Sequence, residues 1–398
     1  MRIAIIGTKG MPAASGGIER HVEELSTRLA GDGFQVTVYT RPWYTGPVPA
    51  TYKGVRLVPM RSVKTKHLDA ISHTFNAVMH AMREKPDVYH FQGVGPALLS
   101  WIPRVFRPGA KVVATFHCLD RRQLKWGFLA RFILRFGEFA ACRFAHKTIV
   151  VSKTLSHYAR EVYKCKPEYI PNGITAPKKR LPVARKMDEF MLTKGQYVIM
   201  VSRLTPQKGV HLLVEAWDRM KKSTDDLRVH SLKLVIVGDA KFNDDYIEML
   251  KAQSYGMRDV VYTGLQTGDD LHALIEGSAF AVHPSETEGL PIAVLEKMSH
   301  GKAVLASDIP EHLELVEDKG YTFRVGDVQD LMLQLYWCAT HLAECEKYGE
   351  RAKRYVEKHY LWDTVAKSTG NVYRAFDLKA PAKRPAMTVS TASRHLVS

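Results

Sequence analysis

Short apolar runs at residues 3–6, 35–39, 88–91, 112–116 and 148–151 alternate with stretches of helical period at 18–30, 68–83 and 128–145. Runs of this kind with no polar alternation suit strands buried on both faces, so the pattern predicts a parallel α/β sheet. Pro171-Asn172-Gly173, Pro177-Lys178-Lys179-Arg180 and Pro182 then interrupt the chain with turn chemistry and no period. Beyond them the alternation restarts, with strands at 197–202, 232–237, 260–262, 280–283 and 303–306 and helices at 210–220, 246–254, 271–276 and 292–299. The arrangement predicts two doubly wound, Rossmann-like α/β domains facing a cleft. Its divisions are an N-terminal domain 1–174, a linker 175–196 and a C-terminal domain 197–360. A final helix, 361–378, is expected to pack back on the N-terminal domain, ahead of a disordered basic tail at 379–398.

Composition narrows the setting. No apolar stretch reaches the roughly 18 residues needed to cross a bilayer, and the chain runs directly into a strand pattern, which predicts a cytoplasmic protein. Five cysteines with no Cys-x-x-Cys pair and no zinc-type spacing read as reduced thiols. The formal charge of +16 is unevenly spread: residues 1–190 carry +18 and the remainder −2. An excess of that size favours an anionic partner, whether nucleic acid, an acidic membrane or a phosphorylated substrate.

Three segments carry candidate chemistry. Gly7-Thr8-Lys9-Gly10 through Gly16-Gly17 follows the first strand and opens a helix, a place where backbone N–H groups and the helix dipole meet anions. It is neither Gly-x-Gly-x-x-Gly nor a P-loop. Val201-Ser202-Arg203 through Lys208-Gly209 puts two cations at the carboxyl edge of the second sheet, where a diphosphate could be clamped or where the charges could simply be solvated. His283-Pro284-Ser285-Glu286-Thr287-Glu288-Gly289-Leu290-Pro291 leads from a strand into a helix bearing Glu296. Amides near Gly289 would face an anion, and Glu288 and Glu296 would accept hydrogen bonds from hydroxyls on either side of it.

These motifs together resemble glycosyltransferase family 4, the retaining sugar-nucleotide transferases of GT-B fold, over nearly the whole chain. The residues that carry the likeness are Ser202-Arg203-Leu204 with Lys208-Gly209, Pro171-Asn172-Gly173, Val237-Gly238-Asp239, and Glu288 eight residues before Glu296. The opening Ile5-Ile6-Gly7-Thr8-Lys9-Gly10 and Gly16-Gly17-Ile18-Glu19 resemble bacterial members that build exopolysaccharide, capsule or O-antigen. The resemblance implies that Arg203 and Lys208 neutralise the diphosphate, that Glu288 touches the donor sugar with Gly289 and Leu290 beside it, and that Glu296 holds the ribose. It also implies that Gly17 backs the phosphates and that His117 lies near the reacting sugar. The chain departs from the family pattern in Glu296-Lys297-Met298, where Glu-Ala-Met is usual, in Gly289-Leu290-Pro291 for Gly-Phe-Gly, in His117-Cys118 for His-Gly, and in Thr175 for a common Asp.

The implied partners are a nucleotide-sugar, a lipid-linked saccharide acceptor and the anionic inner face of the cell membrane, with no metal, no cofactor and no nucleic acid. Two rivals are a nucleotide-sugar epimerase of the same fold and an RNA-binding protein, the latter without the aromatic and basic motifs such modules carry. For membrane contact, the helical wheel of residues 121–143 gathers Arg121, Lys125, Arg131, Arg135 and Arg143 with Phe128, Phe132 and Phe139 in one sector. The rings either meet a membrane interface or enter the domain core while the Arg stems reach outward, the second reading being favoured by Leu129, Ile133 and Phe136 continuing the apolar face.

Overall fold

The computed structural model describes residues 1–65, 68–122, 126–177, 183–239 and 244–377. The N-terminal domain is an eight-stranded sheet of β1 (Arg2–Ile6), β2 (Gln35–Thr40), β3 (Thr51–Tyr52), β4 (Val55–Pro59), β5 (Val88–Gln92), β6 (Lys111–Phe116), β7 (Lys147–Val150) and β8 (Glu168–Tyr169). Their order is β3-β4-β2-β1-β5-β6-β7-β8, parallel except for the β3–β4 hairpin at the edge. The C-terminal sheet has six parallel strands, β9 (Tyr197–Val201), β10 (Lys233–Val237), β11 (Val260–Gly264), β12 (Phe280–His283), β13 (Val304–Ser307) and β14 (Tyr321–Phe323), in the order β11-β10-β9-β12-β13-β14. In each sheet the first strand in sequence lies inside it, with crossover helices on both sides. Such a reversal of winding opens a crevice at the carboxyl ends of the strands, where ligands bind.

Central strands are buried on both faces. Ile3, Ala4, Ile5 and Ile6 of β1 are almost wholly covered, as are Tyr197 to Met200 of β9. The C-terminal part of the chain forms three helices, Val328–Thr340, Leu342–His359 and Trp362–Asp377, broken where His341 and Tyr360 leave helical geometry. The last of these crosses to the N-terminal domain and packs on the helix Gly17–Gly31. There Arg28 Nε donates to Asp363 at 2.6 Å, and the buried Tyr373 hydroxyl lies 2.6 Å from His90 Nδ1.

Two expectations need correcting. Part of the expected linker is helix: Val183–Glu189 packs on the helix Gly268–Gly277, with the buried Lys186 ion-paired to Asp270 and Glu189. Residues 178–182 and the basic tail lie outside the described residues. The second correction concerns the helix Phe128–Arg143. It meets its own domain through Gly137, Glu138, Ala140 and Ala141, with Leu134 packed on the core beside them, while its other large apolar side chains stay outside. At Gly137 an added Cβ would stand 2.3 Å from the Val94 carbonyl oxygen, so small residues set the packing distance. The core reading of the rings is overturned: Phe128, Phe132 and Phe139 are exposed, and so are Leu129, Ile133 and Phe136, at 70%, 45% and 47%. Arg121 leaves the expected cationic sector and turns inward to the fully buried Glu138, which the Tyr158 and Tyr163 hydroxyls also reach at 2.8 Å. Lys125 is outside the described residues.

The returning helix is anchored by Trp362, 1% exposed, whose backbone N–H donates to the Ile174 carbonyl. Trp362→Ala is expected to destabilise the protein by about 3 to 5 kcal/mol in urea unfolding. A loss under about 1 kcal/mol would mean the helix does not hold the domain.

Candidate functional site

The site is built on the seam between the two sheets. From β12 the chain turns at His283 into the loop that carries Glu288 and enters the helix Ile292–Ser299. From β9 it passes Arg203 and makes a short turn, Pro206–Lys208. The two loops are tied together by the Glu286 N–H donating to the Gln207 carbonyl at 3.0 Å. The tie sets the Lys208 ammonium against the Glu288 carboxylate in an ion pair whose side chains are each 11% exposed. On its other flank Glu288 Oε1 lies 2.9 Å from His283 Nε2. Burial alone would raise the Glu288 carboxyl, but Lys208 and the His283 hydrogen bond hold it well below the usual carboxylate range. It is a largely buried, ionised group with the Lys208 ammonium on one side and a His283 ring nitrogen on the other.

The N-terminal domain meets this loop most tightly at Gly289. A Cβ on Gly289 would lie 1.7 Å from the His117 carbonyl oxygen, so only glycine lets the two backbones meet. The Asn172 side chain donates to the Leu290 carbonyl at 2.7 Å, and the Tyr169 hydroxyl and Lys153 N–H both reach Glu314 at 2.8 Å. Beside the seam lies a cavity of about 270 Å³ lined by Leu119 and Arg122 from one domain and by Gln207, Glu288, Ile309 and Glu311 from the other.

The predicted residues fall in different places. Glu288, Gly289 and Lys208 converge at the seam. His117 is there too, but its ring is buried, with Nε2 2.8 Å from Gln92 Oε1 and the His21 ring edge-on at 4.8 Å. Burial holds His117 well below its ordinary value, so the imidazole is neutral. Leu290 turns its side chain into the hydrophobic core, which leaves its backbone for any ligand. Glu296 is half-buried on the helix after the loop; burial raises its carboxyl, opposed by Arg20 from the other domain. Arg203 is exposed, with no ion-pair partner among the described residues. Gly17 begins its helix with open space where a Cβ would go, so packing gives no reason for a glycine there.

Several groups escaped the sequence reading. His283 was visible only as the end of a strand, yet it bridges Glu288 and Lys297. His312 is fully buried, with Nδ1 3.0 Å from Ser307 and no hydrogen-bond partner on Nε2 among the described residues. Arg122 and Glu311 line the cavity from opposite domains. Ring nitrogens of His283 and His312 and a Glu288 oxygen all lie within 4.8 Å of one another, a spacing a metal could use. The Lys208 ammonium already sits on that carboxylate and Lys297 on the far nitrogen of His283, so a divalent ion would meet two cations at close range.

Two sequence profiles cover most of the chain. Glycosyltransferase Family 4 matches residues 15–176, and Glycosyl transferases group 1 matches residues 186–355. The GDP-mannose-dependent alpha-(1-6)-phosphatidylinositol monomannoside mannosyltransferase of Mycobacterium tuberculosis is 27% identical over 409 residues, covering 95% of this chain and 99% of its own. The amylovoran biosynthesis glycosyltransferase of Erwinia amylovora is 23% identical, over 77% of this chain and 82% of its own. Among solved structures, sucrose-phosphate synthase from Thermosynechococcus elongatus superposes with a TM-score of 0.81 at 20% identity, covering 95% of this chain and 99% of that one.

The backbone contact at Gly289 predicts that Gly289→Ala forces the seam apart while each domain stays folded. Small-angle scattering should show a larger radius of gyration with unchanged circular dichroism. An unaltered scattering profile would mean the seam yields to a methyl group and does not depend on glycine.

Proposed function

The chain belongs to the GT-B glycosyltransferases of the family 4 type, and on that premise we propose that it moves a sugar from a nucleotide-sugar to a lipid-linked saccharide in cell-surface polysaccharide synthesis. The observation that carries the reading is the ionised Glu288, joined to Lys208 and set beside Gly289 where the two domains touch. In this reading Lys208 and Arg203 take the diphosphate. The amides of Gly289 and Leu290 and the helix start at Gly17 back its oxygens, and Glu296 accepts from the ribose hydroxyls. Glu288 accepts from the donor sugar's hydroxyls, and His117 bounds the sugar from the opposite domain. Fixed positive groups where the departing diphosphate gains charge supply the stabilisation a metal provides elsewhere, so the transfer is metal-independent. Retention of configuration follows if the acceptor hydroxyl enters on the face from which the diphosphate leaves.

The names of the relatives support the substrate classes: one uses GDP-mannose and a phosphatidylinositol mannoside, and the other serves amylovoran synthesis. Both are transferases, which disfavours the epimerase alternative. The helix Phe128–Arg143 supports a peripheral place on the cytoplasmic face of the membrane. Six of its large apolar side chains are exposed, with Arg131 and Arg135 among them. A patch of that kind on a domain whose residues 1–174 carry a net charge of +15 suits an anionic lipid surface. Among the described residues no helix is long and apolar enough to cross a membrane.

Two outcomes test the reading. Glu288→Gln should keep the fold and lower turnover with the preferred nucleotide-sugar at least about tenfold, equivalent to roughly 1.4 kcal/mol. Undiminished turnover would remove Glu288 from the site. Phe132→Ser with Ile133→Ser should abolish co-flotation with phosphatidylglycerol vesicles at low salt while soluble turnover persists. Equal flotation by the double variant would move the membrane contact elsewhere.

A further inference from the structure

Lys297 stands where the family pattern has alanine, and it has no solvent exposure at all. A lysine is rarely buried without dedicated partners. Its ammonium is 3.1 Å from the Val282 carbonyl oxygen and 3.2 Å from His283 Nδ1, and the same imidazole presents Nε2 to Glu288 Oε1 at 2.9 Å. We propose that Lys297 is a positioning residue for the transfer reaction, acting through His283: it fixes the imidazole as the Nε2–H tautomer, which orients Glu288 towards the donor sugar. The inference rests on the role assigned above to Glu288.

The donor and acceptor arithmetic leaves one arrangement. Lysine nitrogen donates, so His283 Nδ1 must accept and carry a lone pair. The single imidazole proton is then on Nε2, where it donates to the carboxylate. The reverse tautomer would set an N–H against the Lys297 ammonium and a lone pair against Glu288. Four other titratable groups face this chain: Lys208 on the opposite side of Glu288, Ser307-bound His312, Glu296 on the lysine's own helix, and Glu288 itself. Burial pushes Lys297 down to about 7, with Glu288 and Glu296 opposing the shift. A free amine could accept as well as donate, but the Glu288 carboxylate still calls for the proton on Nε2, so the tautomer persists on either side of that titration. Burial and Lys297 together keep His283 well below its ordinary value, against the pull of Glu288. Without the lysine, Nδ1 is open to a proton, and His283 rises towards its ordinary value under the pull of Glu288, with burial still opposing the imidazolium.

The experiment is the ring-nitrogen NMR spectrum of the full-length protein labelled with 15N-histidine, with the His283 signals identified by their loss in His283→Gln. The wild type should show a neutral Nε2–H tautomer from pH 5.5 to 8.5. Lys297→Met should show tautomer exchange and protonation of the ring below neutral pH. Its kcat should fall at least about tenfold, with the KM for the nucleotide-sugar within about threefold of wild type and a new acidic limb in the pH profile. Lys297→Ala, which restores the family residue, should behave the same way and serves if Lys297→Met does not fold. A wild-type Nδ1–H tautomer overturns the proposal, as do variants that fold and keep wild-type ring signals or wild-type kcat. The ring signals need no turnover, so failure of the transferase reading and failure of this inference are separately visible.

Discussion

A carboxylate removed from water must be neutralised or partnered, and Glu288 is partnered on two sides. That requirement governs the surrounding structure. Lys208 must come from the end of β9, His283 from the end of β12 and Lys297 from the helix that follows, so three segments of the second sheet converge on one charge. Removing any one partner would leave an unmatched buried group, a cost of about 3 to 5 kcal/mol when the group is charged. The cluster is therefore rigid before any substrate arrives, and a diphosphate entering it meets cations already in place.

The second constraint is steric. The C-terminal domain presents this charge to its neighbour through Gly289, which admits the His117 carbonyl only because it has no side chain. Bonds from Asn172 to Leu290 and from Tyr169 and Lys153 to Glu314 hold the approach on either side. The chain then returns through Trp362–Asp377 to the first domain, so both ends of the seam are fastened by packing. On the helix Phe128–Arg143 of the same N-terminal domain, small residues face inward and rings face out. Contact with the domain and contact with its surroundings are thus assigned to opposite sides of one helix.

Much of the fold was legible because strands buried on both faces are continuous apolar runs, as in β1, β9 and β10. β4 was missed: it lies one strand from the sheet edge and alternates buried Val55 and Leu57 with the exposed Arg56. The helix Lys153–Tyr163 was missed among its charges, although Ser152 caps it by accepting from the Leu155 N–H. For the helix Phe128–Arg143 the core reading failed for a physical reason: close approach to Val94 requires small residues, so the rings of the wheel's sector face outward. Within the site, Lys208, Glu288 and Gly289 could be read from loop positions at strand ends. His283 and Lys297 could not, because their meeting depends on a helix folding back along its own strand.

The most direct test of the central claim is a crystal structure with a bound nucleoside diphosphate. The account predicts phosphate oxygens within about 3.2 Å of the Lys208 ammonium and of the amides at Gly289 or Leu290, with Glu288 still hydrogen-bonded to His283. A diphosphate bound away from Lys208, with the Lys208–Glu288 pair and its loop unchanged, would contradict it.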